Sequence, residues 1–156
     1  MFRIVPFQEK YRDDVIFCIL CAKDALGRVP NLNEDLLDIQ ANYFDKDDMF
    51  WVALNEADRV IGMIGTNTIS DVDMWLKRLF IKPEIKRQGM GSALLIAAEK
   101  YAKLKDIKFI HTRFADDFAE AFHFYRAKGF VESERSDGFR HFVKDIAELA
   151  PADMEF

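Results

Sequence analysis

The sequence predicts an α+β domain (α/β in its three layers) in which helices flank a mixed, mostly antiparallel central sheet. Three observations predict this class. The chain has 156 residues, 50% of them apolar, which fits one compact domain with a sizeable core. Apolar residues recur at helical spacing in some segments and as short β-branched runs in others. Helical segments follow directly after strand ends, which gives the order β-α-α-β-β-β-α-β-α-β-β.

The first half of the chain alternates between these two periodicities. The predicted elements are a strand over residues 2–7, helices over residues 11–26 and about 33–44, a hairpin of residues 50–54 with 60–69, and a strand over residues 74–81. Gly27 marks the end of the first helix, and Asn33 is the predicted cap of the second. Pro83 ends the last of these strands.

The second half predicts a helix, a strand, a second helix and a hairpin. The predicted elements are helices over residues 91–104 and 116–127, a strand over residues 107–112, and a hairpin of residues 130–133 with 139–143. Asp137 and Gly138 supply the turn of that hairpin. The sequence contains no repeat or linker, so we expect a single domain over residues 1–156. Residues 145–156 are its C-terminal tail, which is loose or packs on a partner chain, as in a homodimer.

Composition argues against several kinds of partner. Asp and Glu number 27 against 22 Lys and Arg, so the formal net charge is -5. We therefore expect no nucleic-acid partner, and a basic small molecule or peptide suits this charge better. No apolar run reaches the roughly 18–20 residues of a membrane span, and the N-terminus lacks the layout of a signal peptide. The expectation is a cytoplasmic protein with no membrane partner.

The only cysteines, Cys18 and Cys21, have C-x-x-C spacing, for which two interpretations compete. A redox or metal pair normally lies at a helix N-terminus or in a knuckle, beside turn residues or a second ligand pair. This pair lies within an apolar helical pattern, and a spacing of three puts both thiols on one helix face. We expect them to pack as small hydrophobic residues. The three histidines are too scattered in the sequence to predict a metal site.

One segment carries a pattern that points to chemistry. After the strand that ends at Ile81, a loop with Lys86, Arg87, Gly89 and Gly91 opens directly into a helix. The first amides of a helix have no intrahelical acceptor and lie at the positive end of its dipole, so they bind anions, most often phosphate. Glycines let the backbone approach such a ligand closely. The segment predicts a phosphate-binding loop, with a plain helix start as the alternative.

The loop matches neither common nucleotide motif. Gly-x-x-x-x-Gly-Lys-Ser/Thr is absent, and Leu94 stands where G-x-G-x-x-G has its third glycine. Ile81-x-Pro83 followed by residues 86–91 (KRQGMG) instead resembles the acetyl-CoA signature of the GNAT superfamily of N-acetyltransferases. Residues 121–130 (AFHFYRAKGF) resemble that family's A-x-x-F-Y-x-x-x-G-F motif. The element order also resembles the family over essentially the whole chain.

The resemblance implies an acetyl-CoA-dependent N-acetyltransferase, with acetyl-CoA as cosubstrate and a primary amine of a small molecule or peptide as acceptor. It implies that loop amides bind the CoA pyrophosphate and that a strand end pairs with the pantetheine arm. A bulge in that strand would present a backbone amide to the thioester carbonyl. The matching cofactor-binding residues are Lys86, Arg87, Gln88, Gly89, Met90, Gly91 and Ser92 in the loop, and Leu79, Phe80 and Ile81 in the strand.

Catalytic candidates follow from the same resemblance. Tyr125 matches the tyrosine that is proposed to protonate the leaving thiolate, and a core tyrosine is the alternative. Trp75 stands where some subfamilies carry an acidic residue before Leu-Lys-Arg, so a base at that position is lost. Asp73 is its nearest candidate substitute, against the alternative of an exposed aspartate in a turn. Lys86 stands where the motif has Gln or Arg, and Phe118 where the family often has asparagine.

A second function therefore stays open, a catalytically silent acyl-CoA-binding or regulatory domain. The 15 phenylalanines are a further clue. Those expected near the acceptor side are Phe44, Phe50, Phe114, Phe118 and Phe139. They favour an acceptor with an apolar part beside its amine, or a dimer contact.

Overall fold

The structure is a computed structural model that describes residues 1–28, 33–85 and 88–147. Its elements follow the predicted order, which confirms the α+β class. The strands are β1 (Arg3–Pro6), β2 (Phe50–Leu54), β3 (Val60–Thr68), β4 (Asp73–Ile81), β5 (Phe109–Ala115), β6 (Val131–Ser136) and β7 (Phe139–Asp145). The helices are α1 (Arg12–Ala25), α2 (Ile39–Asn42), α3 (Met90–Leu104) and α4 (Ala119–Ala127). Short 3-10 segments lie at Glu9–Tyr11, Glu34–Leu37, Phe44–Lys46 and Pro83–Ile85.

These strands form one sheet in the order β1-β2-β3-β4-β5-β7-β6. Antiparallel pairing joins β2 to both β1 and β3, and joins β7 to both β5 and β6. β4 and β5 pair in parallel, with Asp73–Trp75 alongside Phe109–His111. A parallel pair needs a long crossover connection, and α3 lies in that connection.

The chain divides into two compact units, the first of which contains Met1–Asn67 and Lys77–Ala98. Its core gathers apolar side chains from α1, α2, β2 and β3, among them the fully buried Val15 and Ile19. β2 is buried at all five positions, as expected for a strand covered on both faces. Burying one such aliphatic side chain stabilises the fold by roughly 1.5–3 kcal/mol.

Among the described residues, the second unit contains Thr68–Leu76 and residues 99–147. Along β5, Ile110, Thr112 and Phe114 are buried, while the residues between them are half-buried or exposed. This alternation with a period of two gives the strand two different faces. On the buried face, the ring of Phe114 packs against Tyr125 of α4 and Phe142 of β7. The other face carries the polar side chains that are described below.

The second predicted helix, residues 33–44, is wrong as one continuous element. The structure has the 3-10 segment Glu34–Leu37 and then the four-residue α2. Asp38 separates them with φ of -144° and ψ of 79°, and its carboxylate accepts a hydrogen bond from the Ala41 amide at 3.0 Å. Aspartate favours such caps because its side chain competes for backbone donors, so it starts a new helix here.

Two phenylalanines assigned to the acceptor side belong to the core instead. Phe50 is fully buried in the first unit and meets Phe7 and Tyr43 edge-on. Phe114 is buried in the second unit against Tyr125. Phe50 lies in β2, which is covered on both faces. Phe114 lies on the covered face of β5, and period-two alternation alone cannot say which face of a strand is covered.

The cysteines behave as the helical pattern predicts. Cys18 is buried in α1, Cys21 is half-buried, and both are free thiols. Burial raises the pKa of the Cys18 thiol to about 12, so it stays protonated and unreactive at neutral pH. Among the described residues no group of His, Cys, Asp and Glu has the arrangement of a metal site. No helix of the described chain is long and apolar enough to span a bilayer.

Candidate functional site

The predicted anion loop lies in the first unit, between β4 and α3. Gly89 has a φ of 80°, a left-handed conformation that glycine adopts without strain. The Ala93 amide bonds to the Gly89 carbonyl at 3.0 Å, which closes the first turn of α3. Gly91 and Ser92 lie in that turn, whose amides have no intrahelical acceptor. Lys86 and Arg87 lie outside the described residues.

A contact that the sequence analysis did not identify lies between β3 and the start of α3. Met90, the first residue of α3, is 1% exposed, so its side chain is buried. A Cβ on Gly62 of β3 would lie 2.8 Å from the Met90 sulfur and 3.2 Å from Leu94 Cδ1. A side chain at position 62 would therefore require Met90 and Leu94 to move from their present positions on β3. The signal for this role, an isolated glycine within a strand pattern, was present in the sequence.

The predicted strand for the pantetheine arm ends with Leu79, Phe80 and Ile81, the last three residues of β4. Arg78, directly before them, has a φ of 58°. A left-handed residue inside a strand is the kind of irregularity that a β-bulge introduces. It is uncommon for a residue with a side chain, so the surrounding structure must hold it there.

Asp35 and Tyr43 hold Arg78 in this conformation. The Arg78 guanidinium donates two hydrogen bonds to the Asp35 carboxylate, at 2.8 and 3.1 Å, and the Tyr43 hydroxyl donates a third at 2.5 Å. Burial alone would raise the pKa of Asp35, but the bonds from Arg78 and Tyr43 hold it below its usual value. A two-pronged guanidinium–carboxylate pair fixes orientation as well as distance, which offsets the cost of the unusual φ.

Tyr125, the predicted acid, lies on α4 in the second unit and is buried. Its ring stacks on Phe114 with centroids 5.6 Å apart, and Phe124 and Phe130 meet it edge-on. Burial raises the pKa of Tyr125 to about 12, although a hydrogen bond with Thr112 opposes the shift. The phenol is therefore neutral and able to donate at any ordinary pH.

Asp73 lies in the second unit, at the first position of β4. One carboxylate oxygen accepts a bond from the Ser70 hydroxyl at 2.9 Å, and the other lies 2.8 Å from Nε2 of His111. The bond from His111, then the bond from Ser70, lowers the pKa of Asp73. Its side chain is 30% exposed, so the group is a partnered carboxylate rather than a free turn aspartate.

The pairing of His111 with His141 was missed because the two residues lie thirty positions apart in the sequence. His111 lies on β5 and His141 on β7, and Nδ1 of the first is 2.8 Å from Nε2 of the second. The register places His141 opposite Arg113, so His111 is its diagonal neighbour on one face. A single sequence does not contain the register of two strands, and the scattered histidines therefore gave no signal.

Comparison with known proteins agrees with these motifs. A family model for the acetyltransferase (GNAT) domain matches residues 46–132. The probable N-acetyltransferase camello of Xenopus laevis is 31% identical over 104 residues, which cover 64% of this chain and 47% of that protein. The chain thus spans about half the length of this curated relative.

Solved structures share the fold. An acetyltransferase of the GNAT family from Staphylococcus aureus Mu50 has a TM-score of 0.87 at 24% identity, covering 94% of this chain and 99% of that one. The PaiA N-acetyltransferase from Thermoplasma acidophilum, solved in complex with coenzyme A, has a TM-score of 0.79 at 20% identity, covering 93% and 99%. At these identities the likeness shows a common fold.

Proposed function

Because the chain belongs to the GNAT acetyltransferase family, we propose that it transfers the acetyl group of acetyl-CoA to a primary amine. The acceptor is the amine of a small molecule or a peptide. The reaction is a direct attack of the neutral amine on the thioester within a ternary complex. The described cysteines support this route, since the buried Cys18 thiol is held protonated and makes a poor covalent nucleophile.

The loop between β4 and α3 is the observation that carries the proposal. Gly89 places a left-handed turn directly before the first amides of α3, and the space where a Cβ would stand is open. These donors fit a pyrophosphate, since helix N-terminal amides bind phosphate oxygens. Gln88–Ser92 would hold it through the backbone, and Lys86 and Arg87 would add charge. Acetyl-CoA supplies the activated acyl group when bound.

Strand β4 supports the next part of the proposal. Backbone groups of Leu79, Phe80 and Ile81 would pair with the pantetheine arm. The irregular φ of Arg78 turns the backbone immediately before Leu79, so the Leu79 amide is free to depart from the regular direction of the strand. An amide aimed in advance at the thioester oxygen stabilises the oxyanion that forms during attack.

Tyr125 is proposed to assist the departing sulfur. Its pKa of about 12 keeps the hydroxyl protonated, so it can donate a hydrogen bond to the thiolate. Full proton transfer is uphill, because a thiol has a pKa of roughly 8.5. The contribution of Tyr125 is therefore a hydrogen bond that lowers the barrier modestly, by about 10–100-fold in rate.

Thiol release tests the proposal directly. The protein is incubated with acetyl-CoA and each member of a panel of phenethylamine, 1,4-diaminobutane and a hexapeptide with a free α-amino group. We expect at least one amine to raise the release of CoA above the rate of hydrolysis, with the acetylated amine confirmed by mass spectrometry. Thermal unfolding with acetyl-CoA and with ATP is the companion measurement, and only acetyl-CoA should stabilise the protein.

Two outcomes would contradict the enzyme. If acetyl-CoA raises the unfolding temperature but no amine is acetylated, the silent acyl-CoA-binding domain is the better description. The replacement of an acidic residue by Trp75 is the observation behind that second candidate. If ATP with Mg²⁺ stabilises the protein and acetyl-CoA does not, the loop binds a nucleotide instead.

A further inference from the structure

Three aromatic rings form a stack on one face of the second unit. The ring of Trp75 on β4 lies 5.2 Å from His111 and 4.9 Å from His141, with interplanar angles of 26° and 22°. The two imidazoles lie 5.1 Å apart at 30°. The side chains of His111 and Asp73 are 15% and 30% exposed. We call Asp73, Trp75, His111 and His141 the histidine cluster.

The bonding of the histidine cluster fixes both tautomers. Asp73 is ionised and only accepts, so Nε2 of His111 carries the proton between them. In the tautomer with its single proton on Nε2, His111 has a lone pair on Nδ1, which accepts the proton on Nε2 of His141. The remaining lone pair of the cluster is on Nδ1 of His141, and no described residue hydrogen-bonds to that atom.

Charged groups of both signs face His141, and their effects together with burial lower its pKa. Glu134 of β6 and Arg113 of β5 lie directly opposite His141 on its two neighbouring strands. Burial and the neighbouring His111 lower the pKa of His141, Arg113 lowers it further, and Glu134 raises it. Asp73 lies on the far side of His111. His141 is therefore neutral at pH 7 and able to accept a proton.

We propose that His141 is the general base of the acetyl transfer, taking the proton of the acceptor amine on Nδ1. His111 and Asp73 are positioning residues that fix its tautomer, and Trp75 holds both imidazoles in plane. This inference rests on the proposed function. It supplies the base that is missing where Trp75 replaces an acidic side chain.

The proton transfer balances within the cluster. An N–H bond of the ammonium breaks and the proton binds Nδ1 of His141, leaving a neutral amine. This amine then forms the C–N bond while the C–S bond breaks and the thiolate leaves. The second N–H proton is lost to solvent and balances the thiolate, which is protonated there. His141 can then pass its Nε2 proton to Nδ1 of His111. The positive charge thereby rests on His111 beside the Asp73 carboxylate, and the proton is released to solvent from this partly exposed pair. No oxidant, reductant or further reactant takes part.

The proposed base, His141, and the proposed acid, Tyr125, lie on opposite faces of the β5–β7 strand pair. His111 and His141 lie on the face of the β5–β7 pair that Arg113 shares, whereas Thr112, Phe114 and Tyr125 lie on the other. The two roles have opposite needs, since the base must be basic and neutral while the acid must stay protonated. Because the sheet separates them, the proton taken from the amine is not the proton that Tyr125 offers to sulfur.

The pH profile of kcat/KM tests the proposal with three variants. We expect His141→Gln to lower kcat/KM about 100-fold or more at pH 7 and to abolish the acidic limb of the wild-type profile. Asp73→Asn should shift that limb to a lower pH, because His111 loses the carboxylate beside it. His123→Gln is the matched control, since His123 is exposed on α4 and outside the cluster. Unchanged limbs in His141→Gln and Asp73→Asn would overturn the proposal.

A spectroscopic measurement on the wild-type protein does not depend on folding of a variant or on the acceptor. Long-range ¹H–¹⁵N correlation at pH 8 assigns the tautomer of each imidazole. We expect the proton on Nε2 in both His111 and His141, and a proton on Nδ1 of His141 would contradict the relay. If no amine in the panel is acetylated by the wild type, the proposed function fails. If amines are acetylated and the variants behave like wild type, only the assignment of the base fails.

Discussion

Gly89 and Gly138 have the same φ of 80°, and a Cβ would meet nothing within 4 Å at either position. Alanine in this left-handed conformation costs roughly 1–2 kcal/mol, so Gly89→Ala and Gly138→Ala should destabilise the fold equally. Gly89 precedes the α3 amides, whereas Gly138 lies in the β6–β7 turn. We predict that only Gly89→Ala weakens acetyl-CoA binding, by about tenfold or more, as measured by isothermal titration calorimetry. An equal loss of affinity in both variants would mean that general destabilisation is responsible.

Tyr125 and Thr112 form a second pair that separates chemistry from packing. Tyr125→Phe removes the hydroxyl that is proposed to assist the sulfur, and Thr112→Val removes only its hydrogen-bond partner. Loss of either member of a buried hydrogen bond costs about 1–3 kcal/mol of stability. We predict that Tyr125→Phe lowers kcat about 10–100-fold and that Thr112→Val lowers it less than threefold. The kinetic constants at saturating acetyl-CoA check this, and equal small effects would make Tyr125 a core residue.

Among single residues, the sequence predicts those whose role depends only on their neighbours along the chain. Gly89 and the first turn of α3 were predicted because a glycine before a helix is a local pattern. The Asp73–His111 and His111–His141 bonds join residues 38 and 30 positions apart. They depend on the register of β4, β5 and β7, which is set by packing of whole strands. The same limit applies to Arg78 and Asp35, which are 43 positions apart.

Strand β3 positions helix α3, and two of its glycines allow this role to be isolated. A Cβ on Gly62 would meet Met90 at 2.8 Å, whereas one on Gly65 would meet Tyr43 at 2.6 Å and Phe50 at 2.8 Å. Overpacking typically costs about 1–3 kcal/mol, so both alanine variants should lower the free energy of unfolding. We predict that only Gly62→Ala also raises the Kd for acetyl-CoA, by about threefold to tenfold, since it displaces the first turn of α3.

Urea unfolding and acetyl-CoA titration on both variants check this prediction. Because Met90 is flexible, a Gly62→Ala protein of unchanged affinity would show that Met90 moves aside without shifting α3. Gly65→Ala serves as the control for an equal disturbance of the same strand elsewhere.

The helix with a long and regular apolar pattern was predicted closely, and the short helical segment was not. α3 was expected over residues 91–104 and begins at Met90, because its apolar stripe runs for four turns. The segment at residues 33–44 has too few turns for its periodicity to outweigh one capping aspartate. Asp38 bonds to the Ala41 amide, and the helix restarts there. Local side-chain bonds decide such short segments, whereas packing of an apolar face decides long ones.

For the whole molecule, acid stability follows from carboxylates that are held ionised by partners. Asp14 on α1 accepts bonds from the Arg59 guanidinium at 2.6 Å and from the Val60 amide at 2.5 Å. The bond from Arg59 lowers the pKa of Asp14, although burial opposes this shift. Burial likewise raises the pKa of Asp35, but the hydrogen bonds from Arg78 and Tyr43 outweigh it and lower that pKa. A lowered folded pKa adds stability that is present above the unfolded value of about 3.9 and is lost as pH falls through the folded value. We therefore expect stability to decline below about pH 4.

The adjacent residues Asp13 and Asp14 make this prediction specific. The Asp14 side chain is 14% exposed, and that of Asp13 is 96% exposed with only Arg12 beside it. Asp14→Asn should lower the free energy of unfolding by about 1–3 kcal/mol at pH 7 and flatten its dependence on pH below 4. Asp13→Asn should stay within about 0.5 kcal/mol. Urea midpoints at pH 7, 4 and 3 measure both quantities, and a pH slope that is equal in the two variants would show that Asp14 does not link α1 and β3 through its charge.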